Sequence, residues 1–526
     1  WSTGTTMVDI NADGFLDIYV CNLGNYEGMM GKNELFINNK NGTFSEAASD
    51  YGLDFRSFST QTCFFDYDSD GDLDMYLLNH AIHTINAYAP RERLNKISDS
   101  VSGDKLLRNN MDQGIMNFTD VTSEAGIQSN PIGFGLGVAA SDVNNDGWPD
   151  LYVSNDFHEN DYFYINNGDG TFTDKHAKLI SHTSKYSMGN DINDVNNDGL
   201  PDIMTLDMLP VNPMVLQKSI SEDDYNLRET ILNKGYAPQL SRNTLQLNQN
   251  GRFSDVASLY GVEASDWSWA PLFADFDNDG YKDLYITNGI YRRPNDLDYL
   301  NYTSNRAVRS IIDLKDSVMS QRLMALMPQF KISNKAYKNK KGEAYKDWTK
   351  DWGLEMQSYS NGAAYADLDN DGDLDIVVNN INDNAFLFEN KISEKEGINN
   401  YLKVQLRGNN LNINGIGAKI IIKNVGNTYY QEQFPVRGFM SSVGHSLHFG
   451  LGDTKQIDSL IVIWPGGKYQ LLKNIKANQT FVLNELDSFG DYYKENKSMA
   501  SMSNTFFKKN YDFLLDYSHQ ENTFQD

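Results

Sequence analysis

The stretch DINADGFLDIYVCN, residues 9–22, sets Asp9, Asn11, Asp13 and Asp17 around Gly14 and follows them at once with an apolar, β-branched run. The pattern returns as DYDSDGDLDMYLLN from Asp66, DVNNDGWPDLYVSN from Asp142, DVNNDGLPDIMTLD from Asp194, DFDNDGYKDLYITN from Asp275 and DLDNDGDLDIVVNN from Asp367. One copy reads as an Asx-rich surface turn without an ion. Six copies in one register ask for a shared chemical reason.

Counted from the first aspartate, oxygen side chains stand at positions 1, 3, 5 and 9, with glycine at 6. After the first loop these are Asp66, Asp68, Asp70 and Asp74; Asp142, Asn144, Asp146 and Asp150; Asp194, Asn196, Asp198 and Asp202; Asp275, Asp277, Asp279 and Asp283; and Asp367, Asp369, Asp371 and Asp375. Alternation brings the odd-numbered side chains to one side of a tight loop, where they converge on a hard cation. Glycine supplies the positive φ that turns the chain back, and the position 7 carbonyl adds a ligand. Oxygen donors without Cys or His select Ca²⁺, and less well Mg²⁺, over zinc or copper. An EF-hand begins the same way but needs a bidentate acid at position 12 between two helices. Here position 12 is Val20, Leu77, Val153, Thr205, Ile286 and Val378, and strand-like text follows directly. Each loop is therefore expected to join two strands and to hold one calcium ion. Ions spread evenly over repeats suit a structural role better than a single active site.

The charge balance agrees. The chain has 526 residues and a formal charge of −26, and 23 of its 71 acidic residues lie in the six nine-residue loops. Such density is unfavourable without a counter-charge; one divalent ion per loop would bring the total to −14. A nucleic-acid partner is excluded by the lack of lysine and arginine stripes. No apolar run reaches the roughly 18 residues of a membrane span. Cys21 and Cys63 leave a disulfide and two buried thiols equally open. The chain begins at Trp1 inside a strand-like segment, which reads as a mature product or a fragment.

A second element travels with the loops: LFINNKNGTFSEAASDYGL from Leu35, LLRNNMDQGIMNFTDVTSEAGI from Leu106, FYINNGDGTFTDKHAKL from Phe163 and LQLNQNGRFSDVASLYGV from Leu245. Each reads as a strand, an Asn/Gly/Asp turn and a short aromatic strand. With the strands on either side of the acidic loop this makes about four per unit, the mark of an all-β propeller with six visible blades and room for a seventh. Alternating parallel strands and helices fit less well, since helical text is confined to insertions at about 80–104, 208–240 and 290–335. These include NRAVRSIIDLKDSVMSQRLMALM, which has helical periodicity. Insertions of this kind gather on one propeller face and carry binding. The expected organisation is a propeller over 1–391, a small β domain over 392–486, and over 487–526 a linker followed by the start of a further segment.

The repeated loops, with the recurring NNGDGTF hairpin, resemble the FG-GAP or VCBS repeats of integrin-α-like propellers. Downstream, NGIGAKI at Asn414, RGFMSSVGHSLHFGLG at Arg437 and VIWPGGKYQLL at Val462 resemble an ASPIC/UnbV domain, which follows such a propeller in cartilage-acidic-protein-like chains. The resemblance implies a secreted or cell-surface calcium-binding propeller for adhesion or ligand recognition, and a fragment of a longer surface protein. It assigns the metal role to the loop residues named above, lowers site charge where asparagine stands at position 3, and carries over no catalytic residue.

Other candidates are weaker. His80 and His83 could form a transition-metal pair, but no third ligand is evident. His445 and His448, with Ser441 and Ser442, lie in the ASPIC-like motif, where packing roles are the default and no nucleophile elbow surrounds the serines. Trp267 and Trp269 read as blade core. Tyr88, Tyr236, Tyr291, Tyr299 and Tyr302 could make an aromatic platform for sugar rings. The glycines at Gly466 lack phosphate-loop spacing and read as a turn. The expected function is a non-enzymatic extracytoplasmic scaffold for a protein or carbohydrate ligand. Alternatives are a carbohydrate-processing or other hydrolytic enzyme with a carboxylate pair in the channel, and a purely structural surface module.

Overall fold

In a strand, successive side chains point to opposite faces, so a run such as DLYVSN can bury every residue only if it is covered on both sides. That condition is met in a ring of sheets. The computed structural model describes residues 1–26, 28–82, 89–219, 225–305, 317–394, 399–409 and 411–496. His83, Tyr88, residues 306–316 of the helical insertion and the segment 497–526 lie outside them.

Each repeat forms one antiparallel sheet, with the inner strand before the acidic loop, the second strand after it and the hairpin as the outer two. Blade 1 is Ser2–Val8, Asp17–Asn22, Glu34–Asn38 and Phe44–Glu46; blade 2 is Ser59–Phe65, Asp74–Asn79, Lys105–Asn109 and Phe118–Asp120. Blade 3 is Gly135–Ser141, Asp150–Asn155, Tyr162–Asn166 and Phe172–Asp174; blade 4 is Asn190–Asn193, Asp202–Thr205, Thr244–Asn248 and Phe253–Asp255. Blade 5 is Ser268–Ala274, Asp283–Asn288, Lys335–Asn339 and Tyr345–Asp347, and blade 6 is Ser360–Ala366, Asp375–Asn380 and Phe386–Phe388. Inner strands pack in chain order from blade 1 to blade 6 around a common axis.

The interior lies between blades. Tyr19, Cys21 and Leu35 of blade 1 meet Phe64, Tyr76 and Leu77 of blade 2, with Leu151 and Val153 of blade 3 in the same cluster. Each fully buried side chain of this size contributes about 1.5–3 kcal/mol. Cys21 and Cys63 stand here as free, buried thiols, and burial pushes the Cys63 thiol up to about 12. The second strands of blades 2, 3, 4 and 5 are buried throughout, whereas those of blades 1 and 6 alternate. Val377 and Leu387, paired across blade 6 on the face turned away from blade 5, are 39% and 64% exposed.

The strands after residue 399 form two sheets. One has Asn400–Arg407 between Ser446–Gly452 and Gln479–Asn484, and the other runs Asn427–Glu432, Lys419–Asn424, Gln456–Ile463 and Tyr469–Lys476. Leu402, Val404 and Phe449 of the first sheet pack against Ile420, Leu460 and Val462 of the second, closing over Trp464. Packed structure continues past residue 487, where the sequence suggests a linker: Phe489 pairs with Tyr469, and a short helix Tyr492–Asn496 follows.

Candidate functional site

Each acidic loop joins the inner strand of its blade to the second strand, so all six emerge on one face. Position 4 adopts a left-handed conformation in every loop (Ala12, Ser69, Asn145, Asn197, Asn278 and Asn370), and the glycine at 6 has φ between 86° and 100°. This double turn folds the loop over its first aspartate. In blade 1 the Asp13 and Gly14 N–H groups donate to the Asp9 carboxylate at 3.0 and 2.8 Å. Blade 5 repeats this at Asp275, at 3.0 and 2.7 Å.

The arrangement fits a hard cation. Asp66, Asp68 and Asp70 each bring a carboxylate oxygen within 4.8 Å of the others, as do Asp275, Asp277 and Asp279, and Asp367, Asp369 and Asp371. Asp66 Oδ1, Asp68 Oδ1, Asp277 Oδ1 and Asp367 Oδ1 are buried with no hydrogen-bond partner, the condition a cation relieves. Burial, with Asp70 and Asp68 alongside, pushes Asp66 up to about 8, and burial raises Asp194 and Asp275 to about 7. In blades 3 and 4 the position 3 amide instead donates to position 5, Asn144 to Asp146 at 2.8 Å and Asn196 to Asp198 at 3.0 Å.

The position 9 aspartates carry a further task. In every blade one oxygen accepts the N–H of position 2 and the other accepts the N–H of the asparagine ending the third strand or, in blade 6, following it. Asp150, for example, binds the Val143 N–H at 3.1 Å and the Asn166 N–H at 2.8 Å. In blades 3 to 6 that asparagine then reaches across to the preceding blade, whereas Asn38 and Asn109 donate to Leu16 O and Leu73 O of their own blades. Asn166 Nδ2 donates to Tyr67 O, Asn248 to Val143 O and Asn390 to Phe276 O, all at 2.8 Å, and Asn339 to Val195 O at 2.9 Å. Asn166 and Asn248 lie at hairpins that the sequence marks as turns; the recurrence of asparagine in the INN, LNQN and FEN segments was the available signal. Asn248→Ala leaves the buried Val143 and Pro201 carbonyls without a donor. It is expected to cost about 1–3 kcal/mol in urea unfolding, whereas Asn41→Ala in an exposed hairpin should stay within about 0.5 kcal/mol of wild type.

The C-terminal sheets lie across this face. Lys419 pairs with Asp142, and Lys403 with Asp367 at 2.8 Å, so lysines from one part of the chain sit on position 1 aspartates of another. His448 Nε2 lies 2.6 Å from Asn278 Oδ1. Glu432 binds the Ser141 hydroxyl and accepts the Asp142 N–H. From here residues 437–442 enter the propeller axis. Arg437 donates to Asp191 at 2.6 Å and to Ile192 O at 3.0 Å. Gly438 exchanges backbone hydrogen bonds with Asn190, and its Cα lies too close to Leu272 and Ala270 to carry a side chain easily. Phe439 packs on Trp269 with ring centroids 4.8 Å apart. The Ser441 hydroxyl donates to Ala363 O at 2.9 Å, its carbonyl accepts Gln61 Nε2 at 3.2 Å, and the Ser442 hydroxyl accepts the Met7 N–H at 3.3 Å. The two serines and His448 are thus packing groups, while Trp269, expected in blade core, lines the axis.

The opposite face carries the insertions. Those between the second and third strands of blades 2 and 4 meet over blade 3, where Leu94 packs with Ile231 and Tyr236 and Arg91 grips buried Glu159 at 2.7 Å. Lys218 and Asp298, 2.8 Å apart, continue the rim to the blade 5 insertion. Tyr236 is buried and donates to Ala89 O, Tyr291 stands edge-on to Tyr359, and Tyr302 is exposed, so among the described residues the named tyrosines form no common exposed platform. His80 packs edge-on against Phe134. Inside the rim a funnel of about 650 Å³ opens on the axis, lined by Tyr26, Phe58, Ile82, Phe134 and Trp269, with Phe439 and Met440 of the inserted segment among its walls.

Residues 408–488 match the ASPIC and UnbV family, and residues 9–77, 142–205 and 236–286 match the FG-GAP-like repeat. Cartilage acidic protein 1 of Xenopus tropicalis is 25% identical over 480 residues, covering 88% of this chain and 61% of the relative. The Homo sapiens protein of that name is 24% identical over 487 residues, covering 90% and 61%. The chain therefore spans about 61% of the length of these relatives. A lectin of Agrocybe aegerita, solved for its recognition of non-reducing terminal N-acetylglucosamine, aligns over 74% of this chain and 81% of its own at TM-score 0.35 and 15% identity.

Proposed function

We propose that this chain, in which FG-GAP-like repeats form a propeller capped by an ASPIC/UnbV domain, is an extracytoplasmic, non-enzymatic recognition scaffold. Calcium in the acidic loops pins the blades from one face, and a protein or carbohydrate ligand meets the other. The observation that carries this reading is the inequality of the two faces. The acidic-loop face is covered by the C-terminal sheets and its axis is filled by residues 437–442, which leaves the insertion rim and its funnel as the accessible mouth. No aspartate or glutamate stands among the described residues lining that funnel, which favours recognition over carboxylate-pair hydrolysis. No helix among the described residues is long and apolar enough to cross a membrane.

The test is binding of labelled chain to arrays of glycans and matrix proteins in millimolar calcium, with two variants. Ile82 stands at the funnel at 44% exposure, and Leu259 lies outside the funnel at 76%. A ligand retained by Leu259→Glu and weakened at least tenfold by Ile82→Glu supports the reading. Equal retention by both variants moves the site off the funnel, and release of a cleaved product replaces recognition with catalysis.

A further inference from the structure

Blade 2 gathers more carboxylates at its loop than a single ion would use. Position 7 of its loop is Asp72, where blades 1, 3, 4 and 5 have Phe15, Trp148, Leu200 and Tyr281. Asp70, Asp72 and Asp112 bring carboxylate oxygens within 4.8 Å of one another, and Asp70 also belongs to the trio with Asp66 and Asp68. Asp72 is only 1% exposed. Its Oδ2 accepts the Asp112 N–H at 2.9 Å, and its Oδ1, like that of Asp373 in blade 6, is buried with no hydrogen-bond partner.

Blade 6 provides the internal comparison. It also has an aspartate at position 7, Asp373, whose Oδ2 accepts the Ser393 N–H at 3.0 Å. Ser393 follows Asn390 by three residues, as Asp112 follows Asn109, and both asparagines donate their N–H to a position 9 aspartate. Where blade 2 supplies a third carboxylate, blade 6 supplies a hydroxyl bonded to Asp371. The counter-charge differs as well. Lysines pair with loop aspartates in blades 1, 3, 5 and 6, but among the described residues no ion pair reaches the blade 2 cluster. Arg108 is near enough to act on Asp68 without forming one.

We infer that blade 2 binds a pair of divalent cations, the first held by Asp66, Asp68 and Asp70 and the second by Asp70, Asp72 and Asp112, with Asp70 bridging. The all-oxygen donor set selects a hard cation of the calcium class, and bridged pairs of this kind stand about 3.5–4 Å apart. The second ion ties the acidic loop to the turn after the third strand, giving Asp72 Oδ1 the partner it lacks. This inference rests on calcium binding by the loops.

The experiment is native mass spectrometry of the full chain in calcium, counting bound ions in wild type, Asp112→Ser and Asp70→Asn, with circular dichroism confirming that each is folded. Asp112→Ser copies blade 6 at an exposed turn and is expected to carry one ion fewer than wild type; Asp70→Asn is expected to carry two fewer. An unchanged count in Asp112→Ser overturns the second ion while the loop reading stands. Absence of bound calcium from wild type overturns both. As a readout independent of affinity, crystals soaked in Mn²⁺ should show two anomalous peaks in blade 2; a single peak there overturns the pair.

Discussion

Exhaustive chelation is expected to lower the melting temperature of this chain by on the order of 10 °C, with full recovery when calcium is restored. Extracellular calcium modules bind near 10⁻⁴ to 10⁻³ M, and an ion bound only by the folded state contributes about 2.7 kcal/mol at a hundred times its Kd. Several such sites outweigh the ~1 kcal/mol that moves a large domain by about 2–4 °C. The pH dependence gives a sharper signature. Asp66 is raised to about 8 and Asp70, Asp194 and Asp275 to about 7, chiefly by burial, against an ordinary 3.8. Across pH 6–8 the folded chain therefore holds protons that the unfolded chain does not. In chelator, stability should fall as pH rises through these values and recover as pH returns to 6. In saturating calcium this dependence should flatten, since the bound ion keeps the same carboxylates ionised in the folded chain as they are in the unfolded one. Calorimetric melts at pH 6 and 8, each with and without calcium, decide the matter. Equal melting temperatures with and without the ion would reduce the loops to Asx turns.

Replacing Arg437 by methionine is expected to cost about 3–5 kcal/mol, the range for a buried charge stripped of its partner. Both Arg437 and Asp191 are buried, and the second Asp191 oxygen is already engaged by the Phe273 N–H at 2.7 Å. The lost charge has no local substitute. Adding Asp191→Asn removes the uncompensated charge while keeping an acceptor for Phe273, so the double variant should regain much of the loss. Because Arg437 opens the segment that fills the axis, the single variant should also show faster proteolysis between residues 408 and 488 than within the blades. A loss below about 1 kcal/mol, or uniform proteolysis, would mean that the segment is held by its apolar and backbone contacts alone.

The acidic loops were legible because their chemistry is local: four oxygens and a glycine within nine residues decide the turn whatever surrounds it. The same held for the blades, whose apolar alternation and Asn-Gly hairpins set strand length and direction over short spans. The asparagine latch was half legible. Asn166, Asn248, Asn339 and Asn390 recur visibly, but a turn and a bond to the neighbouring blade call for the same residue, and only packing tells them apart. The insertions were recognised as such, and Tyr236, open in the sequence to either a sugar platform or loop packing, is spent on joining two of them.

What the sequence by itself determined is the repeat, the turn that each acidic loop makes, the propeller and the change of composition that marks the C-terminal sheets. Only the tertiary structure decided where those sheets sit. Lys419 meets Asp142 across 277 residues and Arg437 meets Asp191 across 246, and nothing in the spacing of either pair announces its partner. Periodicity reports which face of a strand is apolar, because that face must be buried by something. It cannot name the covering surface, since any surface of matching shape satisfies the same hydrophobic demand. The assembled ring offers one axis of the right width, bordered by buried carboxylates that need cations, and the ASPIC/UnbV domain brings the lysines, the arginine and the narrow Gly438 segment that fit there.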